Sequence, residues 1–147
     1  MMIVEVDEKN ISDAARIHSV SWQESHRSFC DKEFLEVHSV EHQRAYLLDK
    51  LKKGFKIFML LDTEPVGIVS VKENLIEDLY VLPEMHNKGY GTELLEFACA
   101  KCAGVPTLWI LENNMNAARL YHRKGFAETG RRQAITENLH EIELQKV

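Results

Sequence analysis

The stretch Leu79-Tyr80-Val81-Leu82-Pro83-Glu84-Met85-His86-Asn87-Lys88-Gly89-Tyr90-Gly91-Thr92-Glu93-Leu94-Leu95 runs from a strand through a short loop into a helix. The strand begins near residue 75 and stops at Pro83, which cannot donate to a ladder. From Gly91 onward Leu94, Leu95, Ala98 and Cys102 recur at helical spacing, with Glu93, Glu96 and Lys101 on the opposite side. Gly89 and Gly91 at the turn let the backbone approach a ligand closely and aim several N–H groups at one place. With the unpaired donors of the helix start and Lys88 beside them, the turn is suited to cradle a pyrophosphate. Dinucleotide and P-loop motifs do not fit. Leu94 stands where G-x-G-x-x-G needs its third glycine, and no G-x-x-x-x-G-K-[ST] is present.

On the N-terminal side, residues 2–6 read as a strand and residues 12–29 as a helix capped by Ser12. A helical turn over residues 31–37 follows, then a second long helix capped by Ser39 and stopped by Gly54. Residues 55–61 and 66–72 are apolar, β-branched runs around Asp62-Thr63-Glu64-Pro65, the pattern of an antiparallel hairpin. On the C-terminal side, residues 107–111 form a strand, 114–124 a helix ended by Gly125, and 126–132 and 139–146 two more strands. The expected fold is α/β (α+β), a single mixed and largely antiparallel sheet of seven strands with helices on both faces. No repeat or linker divides residues 1–147, so one domain is expected.

The C-terminal helix carries a second pattern, Asn114-Met115-Asn116-Ala117-Ala118-Arg119-Leu120-Tyr121-His122-Arg123-Lys124-Gly125-Phe126. Asn114 and Tyr121 are seven apart and project from nearly one side, with Ala117 and Ala118 leaving a small-residue surface between them. Taken alone, Asn114 is equally an N-cap and Tyr121 a core tyrosine.

Together the two stretches resemble the GNAT superfamily of N-acetyltransferases. His86-Asn87-Lys88-Gly89-Tyr90-Gly91 is similar to its acyl-CoA motif [QR]-x-x-G-x-[GA], with His86 in place of Gln or Arg, and the helix is similar to N-x-x-A-x-x-x-Y-x-x-x-G-F. The resemblance implies acetyl-CoA as cosubstrate, held by Leu79, Tyr80, Val81, His86, Asn87, Lys88, Gly89, Tyr90, Gly91, Thr92, Asn114, Asn116 and Ala117. It implies direct transfer to a primary amine of a small molecule or peptide in a ternary complex. The Val81 amide would meet the thioester oxygen and Tyr121 would act as general acid toward the thiolate. A non-catalytic acyl-CoA-binding module is the alternative.

For the base, strict alternation puts Glu77 alone among Leu75, Leu79 and Val81, with Asp78 on the other side beside Ile76, Tyr80 and Leu82. The resemblance assigns the acceptor wall to the first helices, where Trp22, His26 and Phe29 are the candidates. Charge narrows the partners further: 18 Lys plus Arg against 23 Asp plus Glu gives −5, which disfavours nucleic acid. The strongest apolar run, residues 57–61, is too short for a membrane span, and residues 1–7 lack signal-peptide character, so a cytoplasmic protein is expected. Cys99 and Cys102 read as small apolar residues of a helix, Cys30 makes the cysteine count odd, and no His spacing implies a metal. Monomer and homodimer are both compatible with the sequence.

Overall fold

The computed structural model describes residues 1–28 and 30–147. Strands β1 (Met2–Glu5), β2 (Lys56–Asp62), β3 (Glu64–Lys72), β4 (Leu75–Val81), β5 (Thr107–Leu111), β6 (Phe126–Thr136) and β7 (Leu139–Lys146) form one sheet in the order β1-β2-β3-β4-β5-β7-β6. All neighbours are antiparallel except β4 and β5. Helices α1 (Ile11–His26), α2 (Lys32–Val37) and α3 (Val40–Lys52) lie between β1 and β2, α4 (Tyr90–Lys101) between β4 and β5, and α5 (Met115–Arg123) between β5 and β6.

Alternation along the central strands divides the core. Ile57, Met59 and Ile68 pack with Ile11, Ala14, Ile17 and Leu47 of α1 and α3. Phe58, Leu60, Val69 and Val71 pack with Leu94, Leu95, Ala98 and Tyr121 of α4 and α5. This places helices on both faces of the mixed sheet, as the element order requires.

Several boundaries differ from the sequence expectation for identifiable reasons. Ser12 lies inside α1, and the N-cap position is Asn10, whose Oδ1 instead accepts the Asp7 N–H at 2.8 Å. Helix α1 ends at His26, three residues earlier than its apolar spacing suggests. The β2–β3 connection closes on Thr63 alone, at φ 63°, because pairing continues to Asp62 and Glu64 beyond a bulge at Leu60/Leu61. Strand β6 runs on to Thr136 through pairing with β7. Ser39 caps its helix as expected, accepting the His42 N–H, and Asp31 caps α2 by accepting the Phe34 N–H.

The correction that bears on chemistry is in β4. Asp78 sits at φ 54°, and the register slips opposite Ile68/Ser70, so Asp78 and Leu79 share one partner position. Such a bulge breaks the two-residue period. Ile76, Leu79 and Val81 pack toward α4, whereas Tyr80 and Leu82 pack toward α1 and α3. Glu77 and Asp78 become consecutive on that second side, and both reach Lys50 of α3. Glu77 is therefore not the lone carboxylate of an apolar row.

Candidate active site

Strands β4 and β5 pair only at Leu75↔Thr107 and Ile76↔Leu108 and then separate. The wedge between them widens into an open cleft of about 1540 Å³, lined by residues 76–81 of β4, 108–111 of β5, the loop into α4, and faces of α1, α3 and α5. Leu82 N–H donates to Val66 O at 2.9 Å, which makes that pair the hydrogen-bonded one and Gly67↔Val81 the non-bonded one. Val81 N–H and C=O consequently face away from β3, into the wedge. His86 Nε2–H donates to the Val81 oxygen at 2.9 Å, and the Val81 N–H is left facing the cleft. Gly67 makes room for the strand crossing here. A Cβ there would lie 2.7 Å from Leu94 Cδ1 and 2.9 Å from Tyr80 O.

The turn entering α4 keeps its donors free. Pro83–Met85 is one 3₁₀ turn, Asn87 has φ 63° and Gly89 has φ 88° at the N-cap position. Met85 and His86 N–H groups bond back to Leu82 and Pro83, and Glu93 N–H to Gly89. Among the described residues, the amides of residues 87–92 have no acceptor within the protein. Among the described residues Lys88 Nζ meets only Met85 Sδ, and Arg119 and Arg123 of α5 also line the cleft. The Tyr90 phenol donates to Asp62, so its side chain braces α4 against β2 and only its amide belongs to the cradle. Nothing in the protein lies within 4 Å of a Cβ built on Gly89, so within the protein a substitution there is strained through φ and not through a clash. Gly89→Val is expected to weaken coenzyme A binding about tenfold, the equivalent of 1–2 kcal/mol of left-handed strain, in a titration of the folded variant.

Helix α5 adds the opposite wall. Asn114 Oδ1 caps the helix by accepting the Ala117 N–H at 3.2 Å, while its Nδ2 has no partner among the described residues, and Ala117 lines the cleft. The Asn116 side chain accepts from Arg119. Tyr121 is 7% exposed, its ring against Phe126. Among the described residues the one sealed side-chain polar atom lacking a partner is Ser21 Oγ. The Tyr121 hydroxyl, which also bonds to no protein group, is therefore open to the cleft. Burial pushes this phenol above its ordinary value and keeps it protonated.

At the α1 and α3 end, polar groups surround the β4 bulge. Asp78 accepts from His18 Nε2 at 3.3 Å, Tyr46 Oη at 3.0 Å, Lys50 Nζ at 2.6 Å and Ser70 Oγ at 2.9 Å. Burial pushes the Asp78 carboxyl up, but His18 and Lys50 outweigh it and hold it well below the usual carboxylate range. Glu77 accepts from Lys50 Nζ through Oε1 at 2.5 Å, and the residue lines the cleft. His18 Nδ1 lies 2.5 Å from Gln43 Nε2, and Gln43 Oε1 lies 2.6 Å from His42 Nδ1. Tyr80 stands edge-on to His18, its phenol raised by burial and by Asp78.

Of the acceptor-wall candidates, Trp22 and His26 both line the cleft. The Trp22 indole stacks on His26 at 3.9 Å and 11° and on His38 at 3.5 Å and 12°. Two rings this near one centroid fit only on opposite faces, so both faces of the indole are covered and only its edge meets the cleft. Burial, with His38 nearby, holds His26 below ordinary histidine. Phe29 lies outside the described residues. Lys50, His18, Gln43 and Tyr46 were not among the sequence candidates. Their signal is three polar side chains, His18, Gln43 and Lys50, on the buried faces of α1 and α3.

Among the described residues no group of three or more His, Cys, Asp or Glu is placed to hold a metal ion, and no helix is long and apolar enough to cross a membrane.

Comparison with known proteins bears on the same region. A family model described as an acetyltransferase (GNAT) domain matches residues 53–128, which include β4, the cradle and α5. An N-acetyltransferase of Archaeoglobus fulgidus is 29% identical over 136 residues, spanning 82% of this chain and 89% of that protein. The structure of PaiA N-acetyltransferase from Thermoplasma acidophilum with coenzyme A is similar at TM-score 0.71 and 17% identity, covering 99% of each chain. YncA from Salmonella typhimurium, solved with acetyl-CoA, is similar at TM-score 0.70 and 18% identity, covering 99% of this chain and 92% of that one.

Proposed function

From the premise that the chain belongs to the GNAT acetyltransferase family, we propose that it transfers the acetyl group of acetyl-CoA to a primary amine of a small molecule or peptide, directly and in a ternary complex. The observation that carries this reading is the row of unpaired amides at residues 87–92 beside the β4–β5 wedge, with an open tyrosine hydroxyl across it. The residues fit the cosubstrate. The amides, Lys88, Arg119 and Arg123 suit the phosphates, and the wedge suits the arm.

The charge of the cleft is divided to match. Lys88 belongs to the cradle, Arg119 and Arg123 line the cleft, and the carboxylates Glu77 and Glu141 lie near Tyr80, where an ammonium would be held. The amine must lose a proton before it attacks, and Glu77 Oε2 is the acceptor of that proton. The Val81 N–H donates to the thioester oxygen as charge develops there. As the amine nitrogen bonds to the carbonyl carbon it releases its second proton to solvent. As the C–S bond breaks Tyr121 passes its proton to sulfur and is reprotonated from that solvent, so that CoA leaves as the thiol and the one net proton stays on Glu77. Asp78, saturated by four donors, is an anchor rather than a base. His86 holds the end of β4 instead of presenting its ring to the ligand.

The proposal is tested by assaying CoA release from acetyl-CoA across a panel of primary amines. Turnover above background with at least one amine is expected. Tight acetyl-CoA binding without turnover on any amine would favour a non-catalytic binding module instead.

A further inference from the structure

We propose that Lys50 is a positioning residue for acetyl transfer, acting on the acceptor through Glu77; the inference rests on the transferase reading above. Lys50 lies on the buried face of α3 with Gln43 and Leu47, and it is 7% exposed. A buried ammonium is tolerated only when paired, and this one has two carboxylates, Glu77 Oε1 at 2.5 Å and Asp78 Oδ2 at 2.6 Å. Its Nζ also lies over the rings of Phe55 at 4.1 Å and Tyr46 at 5.4 Å. It stands behind the cleft wall, out of reach of a substrate.

The two carboxylates differ in what else holds them. Asp78 is fixed by His18, Tyr46 and Ser70 whether or not Lys50 is charged. Glu77 has Lys50 as its single hydrogen-bond donor among the described residues, and its side chain is 37% exposed. Without Lys50 no hydrogen bond from the described residues would orient the Glu77 carboxylate. With Lys50, Oε1 is held against the α3 side, and the other oxygen of this part-exposed, cleft-lining carboxylate has no donor among the described residues. The bulge makes this possible by turning consecutive carboxylates to one side, where a single ammonium gathers both.

A group that orients the proton acceptor, and does not itself touch substrate, affects turnover without affecting the cosubstrate. K50M, which keeps the length and loses the charge, is expected to lower kcat at least tenfold and leave acetyl-CoA Kd within twofold, while K50R retains most of the activity. In an E77Q background K50M is expected to cost less than twofold more, because Glu77 is the group through which Lys50 acts. If K50M fails to fold, judged by circular dichroism and melting, K50Q, which keeps a donor without the charge, completes the same cycle. Additive losses in the double variant, or wild-type kcat in K50M, would overturn the role of Lys50 while leaving the transferase reading intact. A wild-type protein that releases no CoA with any amine would overturn both.

Discussion

Tyr121→Phe lowers kcat about a hundredfold while acetyl-CoA binds as before, the range that loss of one positioned general acid produces. Three features of the site support this expectation. The hydroxyl is open to the cleft yet bonded to no protein group, so its removal breaks no internal contact. The ring keeps its place against Phe126 in the core of α5 and the sheet, so the phenylalanine retains the packing and the fold. Finally, burial holds the phenol protonated across the physiological range, so a proton is available in every cycle. Single-turnover and steady-state rates with one productive amine, together with a titration of acetyl-CoA, check the prediction. An unchanged kcat would remove Tyr121 from the chemistry and leave it as core packing.

Asp78→Asn is expected to destabilise the protein by about 3–5 kcal/mol, the usual cost of removing one partner from a buried ion pair. For a chain of this size that lowers Tm by roughly 10 °C. The asparagine loses the charge that pairs with Lys50, and its NH₂ meets donors where the second carboxylate oxygen accepted them. The pH dependence has a definite sign. Asp78 has a depressed folded-state value, so its contribution is present above the ordinary carboxylate value of about 4. As pH falls below that point the unfolded chain takes up the proton first, and the contribution is progressively lost. The wild-type protein should therefore lose stability on acidification below about pH 4 more steeply than Asp78→Asn, and the two melting curves should converge. Parallel curves would show that the His18–Asp78–Lys50 cluster does not carry this stability.

Much of the fold is legible in the residue pattern because its elements are long and strongly periodic. The apolar stripe of α4, the β2–β3 hairpin and the caps at Ser39 and Asn114 all follow from local chemistry. The cradle is legible for the same reason. Gly89 supplies a left-handed N-cap, Gly91 opens the first turn of the helix, and the free amides follow from helix geometry. The acceptor end is not local. A bulge at Asp78 leaves no mark on an apparently alternating strand, and it moves Glu77 to the side opposite the one that alternation gives it. Lys50 and His18 come to that strand from helices 27 and 60 residues away, which no spacing rule connects. Trp22 illustrates the same limit. Its place on the acceptor wall follows from the resemblance, but the covering of both its faces by His26 from its own helix and His38 from the end of α2 is a tertiary arrangement that spacing does not give.

The account depends most on the amides after the 3₁₀ turn receiving a diphosphate while Val81 N–H faces the bound arm. A ¹H–¹⁵N correlation spectrum of the labelled protein titrated with acetyl-CoA tests this residue by residue. The largest shift changes are expected at residues 87–92 and at Val81, with smaller ones at Asn114 and Ala117 on the facing helix. Saturable binding that leaves residues 87–92 unmoved, or no binding, would contradict the assignment.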